Sequence, residues 1–353
     1  MIEKMVREHL LHFKNYSVPN NQYPYILNAN ENPYNIFEDI QDEVISKVLK
    51  YKPNVYPDAM AVGLRNQLAA YGEVQPDQIL CGNGSDELIS MILTTFVEKD
   101  AVVVTHVPTF DMYDIGTRIA QGKCITIQDN EEHQIDAKAI IDAVNKNNAK
   151  LLFLCVPNNP TGYAMPKDDI LHILACTKEC IVVIDEAYYE FYGISCIDLV
   201  DTYPNMIILR TLSKAFGLAG LRIGYALGSK EIIQWLYRVK QPYNLNSISQ
   251  LLGDIVLQHR DIIHSYTEII KRERDALHDH LCQIESLKVF QSSGNFLLVQ
   301  TDDSERLNTH FLDTGILVKY YGDHPLLKNC FRITLGDPRT NQIVLNTIKE
   351  ALI

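Results

Sequence analysis

The chain alternates between two hydrophobic rhythms. Short unbroken apolar runs, AVVVTHVP (101–108), KLLFLCVP (150–157), CIVVIDEA (180–187), MIILRTL (206–212) and IGYALG (223–228), are rich in branched residues. Runs of that length, apolar at successive positions, predict strands buried on both faces. Between them lie longer stretches whose apolar positions recur every three or four residues: DELISMILTTF (86–96), DAKAIIDAVNKN (136–147) and PKDDILHILACTK (166–178). That spacing predicts amphipathic helices. Alternation of the two predicts an α/β unit, with helices on both faces of a mixed but mainly parallel sheet. In such sheets ligands collect beyond the carboxyl ends of the strands, so the residues just after each apolar run carry most interest.

Beyond about residue 245 the rhythm changes. A long helical stretch, 248–284, precedes four short strand-like segments: LKVFQ (287–291), NFLLVQ (295–300), GILVKYY (315–321) and CFRITLG (330–336). This predicts a second, smaller α+β domain. The expected division is an N-terminal segment, 1–40, poor in strand signal and packed on the small domain; a large α/β domain, 41–245; and the small C-terminal domain, 246–353.

A length of 353 residues agrees with more than one core. The net charge of −12 argues against a nucleic-acid surface and against anionic membranes. No segment approaches the run of about 18 uncharged apolar residues that a bilayer span needs. The start, MIEKMVREHLLHFKNY, has no uninterrupted apolar stretch of the kind a secretory signal carries, so a cytoplasmic location is expected. Eight cysteines are scattered. Cys176 and Cys180 are four apart, as on one helix face, but no second pair accompanies them. Buried free thiols, and no metal site, are the expectation.

Four strand ends carry candidate chemistry. In QILCGNGSDELISMIL a strand runs through Gly82-Asn83-Gly84 into a helix that starts near Ser85 and Asp86. Unpaired N–H groups at such a helix start suit a phosphate, although the same residues also make an ordinary capped turn. LLFLCVPNNPTG ends in Asn158-Asn159-Pro160; an Asn before Pro is held extended, so its amide can be aimed. CIVVIDEAYYEF ends in Asp185, a carboxylate that is costly at a strand tip unless a cation or donor meets it. ILRTLSKAFGLAGLRIGY sets Lys214 among small residues, with no other charge between Arg210 and Arg222. Desolvation there would favour the neutral amine, the form that condenses with a carbonyl. A phosphate cradle, a lysine nucleophile, an acid, an aimed amide and a second cation at Arg222 together suit pyridoxal 5′-phosphate, whose aldehyde bonds to lysine and whose ring nitrogen wants a carboxylate partner.

These motifs resemble the fold-type-I pyridoxal-phosphate aminotransferases and, within them, the histidinol-phosphate aminotransferases. The resemblance runs from LNANENPY (27–34) through VYPD (55–58), CGNGSDE (81–87), VPTFDMY (107–113), VPNNPTG (156–162), DEAYYEF (185–191), RTLSKAFGLAGLRIGY (210–225) and PYNLNS (242–247) to FRITLG (331–336). It implies that Lys214 binds the cofactor and shuttles the proton, that Asp185 pairs with the ring nitrogen, and that Asn159 and Tyr188 hold the ring hydroxyl. Ser85, Asp86, Ser213 and Arg222 would hold the phosphate, and Phe110 would cover the ring. Tyr56 would reach the phosphate of a neighbouring subunit, making a homodimer with shared sites. For substrates it implies Arg332 and Lys319, with Tyr16 and Asn30 beside them; Tyr34 and Asn246 look like lining. Lys319 stands where the family pattern has an arginine, which keeps the charge and loses the bidentate geometry.

The implied reaction moves the amino group of glutamate to imidazole acetol phosphate, leaving 2-oxoglutarate and L-histidinol phosphate, in histidine biosynthesis. An aromatic or broad-range aminotransferase and a threonine-phosphate decarboxylase share the scaffold and remain alternatives. A sensor domain of a transcription regulator fits poorly, because the motifs begin by residue 27 with no basic domain ahead of them.

Overall fold

The computed structural model describes residues 2–11, 13 and 22–353. Its larger sheet holds β2 (Ile79–Asn83), β3 (Val102–Val107), β4 (Lys123–Gln128), β5 (Leu151–Cys155), β6 (Ile181–Asp185), β7 (Met206–Thr211) and β8 (Ile223–Gly228), in the spatial order β2-β8-β7-β6-β5-β3-β4. From β7 to β4 every neighbour is parallel; β8 is antiparallel to both β2 and β7. The start of β8 therefore lies at the same sheet edge as the ends of the parallel strands.

Both faces of this sheet are buried, as the unbroken apolar runs predict. On β6, Val182 and Ile184 join one core while Val183 joins the other, the two-residue alternation of a strand. The first core includes Leu64 and Leu68 of the helix Val62–Gly72, Ile140 and Val144 of Ala137–Lys146, and Ile170 and Ile173 of Lys167–Cys176. The second is closed by the helices Ser85–Phe96, Met112–Ile119 and Lys230–Tyr237.

The smaller sheet runs β1 (Tyr25–Leu27), β11 (Ile316–Tyr320), β12 (Cys330–Thr334), β10 (Phe296–Gln300), β9 (Lys288–Val289). β1 is parallel to β11, and the remaining pairs are antiparallel. The helices Arg260–Leu281 and Ser304–Asp313 pack on this sheet, and Pro338–Leu352 packs on those two helices. Pro338 sits in the first turn of its helix, where no N–H is needed, and the Asp337 carboxylate accepts from the Thr340 N–H at 2.7 Å.

Three features depart from the hydrophobic pattern. The edge strand β4, KCITIQ, lacks an unbroken apolar run because only part of each face is covered. β1 is three residues long and exists because β11 offers it an open edge. The long helical stretch is two helices, Ser247–Val256 and Arg260–Leu281, with no Pro or Gly at the break. The break is tertiary in origin: His259 turns out of the helix and its Nε2 meets Glu43 Oε2 at 2.8 Å. The first of the two packs on Gln41–Val48, Val62–Gly72 and β8, with the large sheet, and the second goes with the small one.

Candidate active site

The carboxyl ends of β2, β5, β6 and β7 and the start of β8 bring Ser85, Asn159, Asp185, Lys214 and Arg222 to one edge of the large sheet. Asp185, the last residue of β6, is 3% exposed. Its neighbour Glu186 faces the other side and is neutralised there by Arg210, at 2.9 Å, with the Arg210 guanidinium stacked 3.8 Å over the ring of Tyr189. Among the described residues Asp185 has no such cation. Its Oδ2 accepts from the Tyr113 hydroxyl at 2.7 Å and its Oδ1 from the Ala187 N–H at 3.1 Å. Burial still raises its pKa from 3.8 to about 6 against the pull of those two donors.

Lys214 lies in the turn between β7 and β8, half-buried. Its amine donates to the Ala29 carbonyl at 2.7 Å and stands 5.9 Å from the centre of the Tyr188 ring. Desolvation first, and the positive charges of Arg332 and Arg222 after it, lower its pKa from 10.5 to about 8. A sizeable fraction of the amine is thus neutral near pH 8. Tyr188 is buried, which pushes its phenol pKa up, and its oxygen accepts from Asn30 Nδ2 at 2.9 Å.

The helix Ser85–Phe96 begins at Gly84 with no side chain capping its first N–H groups. Two glycines shape this corner. Gly84 has φ +83°, and a Cβ there would fall 2.5 Å from Arg222 Nη2. A Cβ on Gly224 would fall 2.5 Å from the Gly84 carbonyl carbon. Any larger residue would push β8 away from the helix start. Arg222 Nη2 is held 3.0 Å from Asp86 Oδ2. Asp86 therefore orients the arginine with its carboxylate, and only its backbone N–H is suited to an anion. Ser213, buried, completes this side; its Oγ accepts from Thr211 Oγ1 at 2.9 Å.

Arg332, on β12, reaches across from the small sheet. Its Nη1 donates to Asn159 Oδ1 and its Nη2 to the Asn28 carbonyl, while its Nε is buried without a partner among the described residues. Lys319 on β11 lies directly opposite Arg332 in the ladder, which puts both cations on one face of the small sheet. Lys319 is exposed, with its amine 5.8 Å from the Tyr321 ring centre. Asn30, in a left-handed turn (φ +54°), ties Tyr188 to Thr334, whose hydroxyl donates to Asn30 Oδ1 at 3.2 Å.

Four further expected residues remain: Tyr56, Asn246, Tyr16 and Phe110. Tyr56 is 77% exposed on the loop before the helix Val62–Gly72, stacked on Tyr243 at 4.6 Å. Asn246 is the N-cap of the helix Ser247–Val256, accepting from the Ser249 N–H at 2.8 Å, so its side chain is engaged in holding the fold. Tyr16 lies outside the described residues. Phe110 stands edge-on to Tyr113, with ring centres 5.7 Å apart.

Sequence reasoning passed over Tyr113 and Asn158. Asn158 is wholly buried and staples two loops: its amide donates to the Pro108 carbonyl at 2.9 Å and to Thr161 Oγ1 at 2.8 Å, and its oxygen accepts from Thr109 at 2.7 Å. Both residues sit inside quoted motifs, VPTFDMY and VPNNPTG; no spacing rule marks which member of a motif faces inward. The backbone carbonyls of Asn28 and Ala29 leave no sequence signal at all.

A half-buried lysine with a lowered pKa, a strand-tip carboxylate held by two hydrogen-bond donors and an uncapped helix start beside an arginine form a set that fits pyridoxal 5′-phosphate. On a large α/β unit joined to a smaller α+β unit, this is the arrangement of a fold-type-I aminotransferase. Residues 25–348 match the family described as aminotransferase class I and II, and the chain belongs to it. It is 40% identical to the histidinol-phosphate aminotransferase of Thermoanaerobacter pseudethanolicus over all of both chains. It is 36% identical to that of Clostridium novyi over 99% of this chain and 98% of the relative. In three dimensions it is similar to the histidinol-phosphate aminotransferase of Sinorhizobium meliloti in complex with pyridoxal-5′-phosphate, with a TM-score of 0.86 over 94% of this chain and 91% of that one, at 24% identity.

Proposed function

We propose that this chain moves the amino group of glutamate to imidazole acetol phosphate, giving 2-oxoglutarate and L-histidinol phosphate. The observation that carries the reaction class is the Lys214 amine, its pKa lowered to about 8, on the same sheet edge as the buried Asp185 carboxylate. The substrate reading is supported by full-length kinship to histidinol-phosphate aminotransferases and by two cations, Arg332 and Lys319, on one sheet face.

When bound, pyridoxal 5′-phosphate supplies an aldehyde that condenses with amines and a charged ring that draws electrons from the bond being broken. This chain's residues would do the rest. The N–H groups of Ser85 and Asp86, the Ser213 hydroxyl and Arg222 hold the phosphate. Asp185 keeps the ring nitrogen protonated, Asn159 and Tyr188 hold the ring oxygen, and Phe110 covers one face. Lys214 Nζ would take the proton from the substrate α-carbon and hold it for redelivery, a step that needs the neutral amine. Arg332 already donates to two neutral acceptors, Asn159 and Asn28, so an arriving anionic group displaces weaker partners with a stronger one.

Tyr56 would serve the site of a second copy. It is exposed, as are Val55, Met60 and Val62 in the same segment of chain, and exposed apolar residues of this kind suit a homodimer contact. Mixing inactive Lys214→Ala chains with Tyr56→Phe chains should then restore part of the activity; no recovery would remove the shared site.

Steady-state rates with glutamate as donor and imidazole acetol phosphate or phenylpyruvate as acceptor test the substrate. We expect kcat/KM to favour the phosphorylated acceptor. A preference for phenylpyruvate, or release of carbon dioxide from O-phosphothreonine, would overturn the reading.

A further inference from the structure

Asp185 is the acid on which the site depends, and what holds it is another aromatic residue. Tyr113 belongs to the first turn of the helix Met112–Ile119 and is fully buried. Its ring lies flat on Phe153, with centres 4.6 Å apart and planes 8° from parallel. Phe153 points into the same core as Tyr113, on the face of the sheet that Asp185 shares with Val183. Phe110 packs edge-on to the same ring, with centres 5.7 Å apart. Stacking on a strand residue leaves the phenol little freedom, and its hydroxyl ends 2.7 Å from Asp185 Oδ2.

An ordinary core tyrosine would satisfy its hydroxyl on a backbone carbonyl. This one is spent on a buried carboxylate that, among the described residues, has no cation paired with it. The titratable groups around Asp185 supply none either. Cys155 on the adjacent strand directs its thiol at the Pro157 carbonyl, 3.4 Å away. Asp86 and Glu186 are themselves acidic and engaged with Arg222 and Arg210. Tyr188 accepts from Asn30. Two donors remain, the Ala187 N–H on Oδ1 and the Tyr113 hydroxyl on Oδ2, and only the second is a side chain that a sequence can change. Burial holds the Tyr113 phenol pKa well above its ordinary value, so it stays a donor throughout the working pH range.

We propose that Tyr113 is a positioning residue: its hydroxyl orients the Asp185 carboxylate and keeps it charged, ready to hold the proton on the ring nitrogen of bound pyridoxal 5′-phosphate. The inference rests on the reading of Asp185 as the ring-nitrogen partner. Phe110 and Tyr113, three residues apart at one helix start, then set both the stacking surface and the acid. The motif VPTFDMY is thereby tied to the cofactor ring at two points.

The test begins without cofactor. Carbon-13 carboxyl resonances, with Asp185 assigned by its loss in Asp185→Asn, give the Asp185 titration midpoint in the cofactor-free protein. Removing the hydroxyl with Tyr113→Phe should raise that midpoint by about one pH unit, because a hydrogen bond to the charged form is lost. The same variant should bind pyridoxal 5′-phosphate roughly tenfold more weakly, lower kcat for glutamate roughly tenfold and leave its KM within about twofold, since no substrate contact is touched. An unchanged midpoint with unchanged cofactor affinity would overturn the proposal. Should Tyr113→Phe not fold, 3-fluorotyrosine placed at 113 alone keeps the packing and makes a stronger donor. The midpoint should then move down, and a midpoint that does not move would equally overturn the proposal. Normal activity in Asp185→Asn would mean that the underlying reading has failed, a result distinct from inertness of Tyr113 with Asp185 essential.

Discussion

At the proposed cofactor end, Asp185, Lys214 and Arg222 stand on β6, on the turn after β7 and at the start of β8, three neighbouring strands of one sheet. At the proposed substrate end, Arg332 projects from the small sheet and is fixed by a carbonyl at residue 28 and an amide at residue 159, segments far apart in the chain. The first cluster is positioned by ladder hydrogen bonds and by two packed cores. The second depends on how the small sheet, the 28–30 turn and the large sheet meet. Residues 28, 29 and 30 reach Arg332, Lys214 and Tyr188 in turn, so this short turn couples the two ends. Chemistry placed on one rigid sheet stays the same while a second unit is free to vary what is bound.

The comparison breaks first at Lys214. Lys214→Ala should lower transamination by at least about 1,000-fold, measured with saturating cofactor, because no other amine in the cluster can move the proton. The same residue gives a readout on the cofactor-free protein. The native amine releases its proton near pH 8, and an unfolded one holds it to 10.5. Between those values the unfolded state binds more protons, so stability rises with pH. Thermal melts should therefore show the wild-type protein gaining on Lys214→Met as pH increases from about 8 to 10.5.

Arg332→Ala should strike the other end. Loss of a charge-assisted contact predicts a fall of roughly 10- to 100-fold in kcat/KM for both donor and acceptor, with cofactor affinity little changed. A comparable loss of cofactor affinity would show that the two ends are one unit. Lys319→Arg is a gentler probe. A planar fork in place of a point charge should improve kcat/KM for a phosphorylated acceptor a few-fold and leave glutamate unaffected. Equal changes for both would place Lys319 outside acceptor recognition. The smallest effect belongs to Asn246→Ala. Losing the helix cap should cost about 1 kcal/mol of stability in denaturant titrations with kcat and KM unchanged.

Much of the cofactor end was legible because its residues follow buried strands directly. An apolar run that stops at Asp185 or at Pro157 announces a strand end, and the parallel-sheet rule says where such ends gather. Asp86 was only half legible: its place at the helix start could be read, but the carboxylate's use, orienting Arg222, needed the start of β8 to be folded against β2. Tyr113 was quoted within a motif and still missed, since a tyrosine among apolar residues reads as core until its hydroxyl is seen to end on Asp185.

The sequence by itself determined the layers, the strands buried on both faces, the loop chemistry that follows them and the family. These are local matters, set by spacing along the chain and by the cost of burying a polar group. Only the tertiary structure decided that β1 joins β11, that the long helix breaks at His259, and that carbonyls 28 and 29 meet Arg332 and Lys214. Each of these joins residues distant in sequence, through backbone groups or side chains that every chain possesses, and no composition or periodicity records which of them will meet.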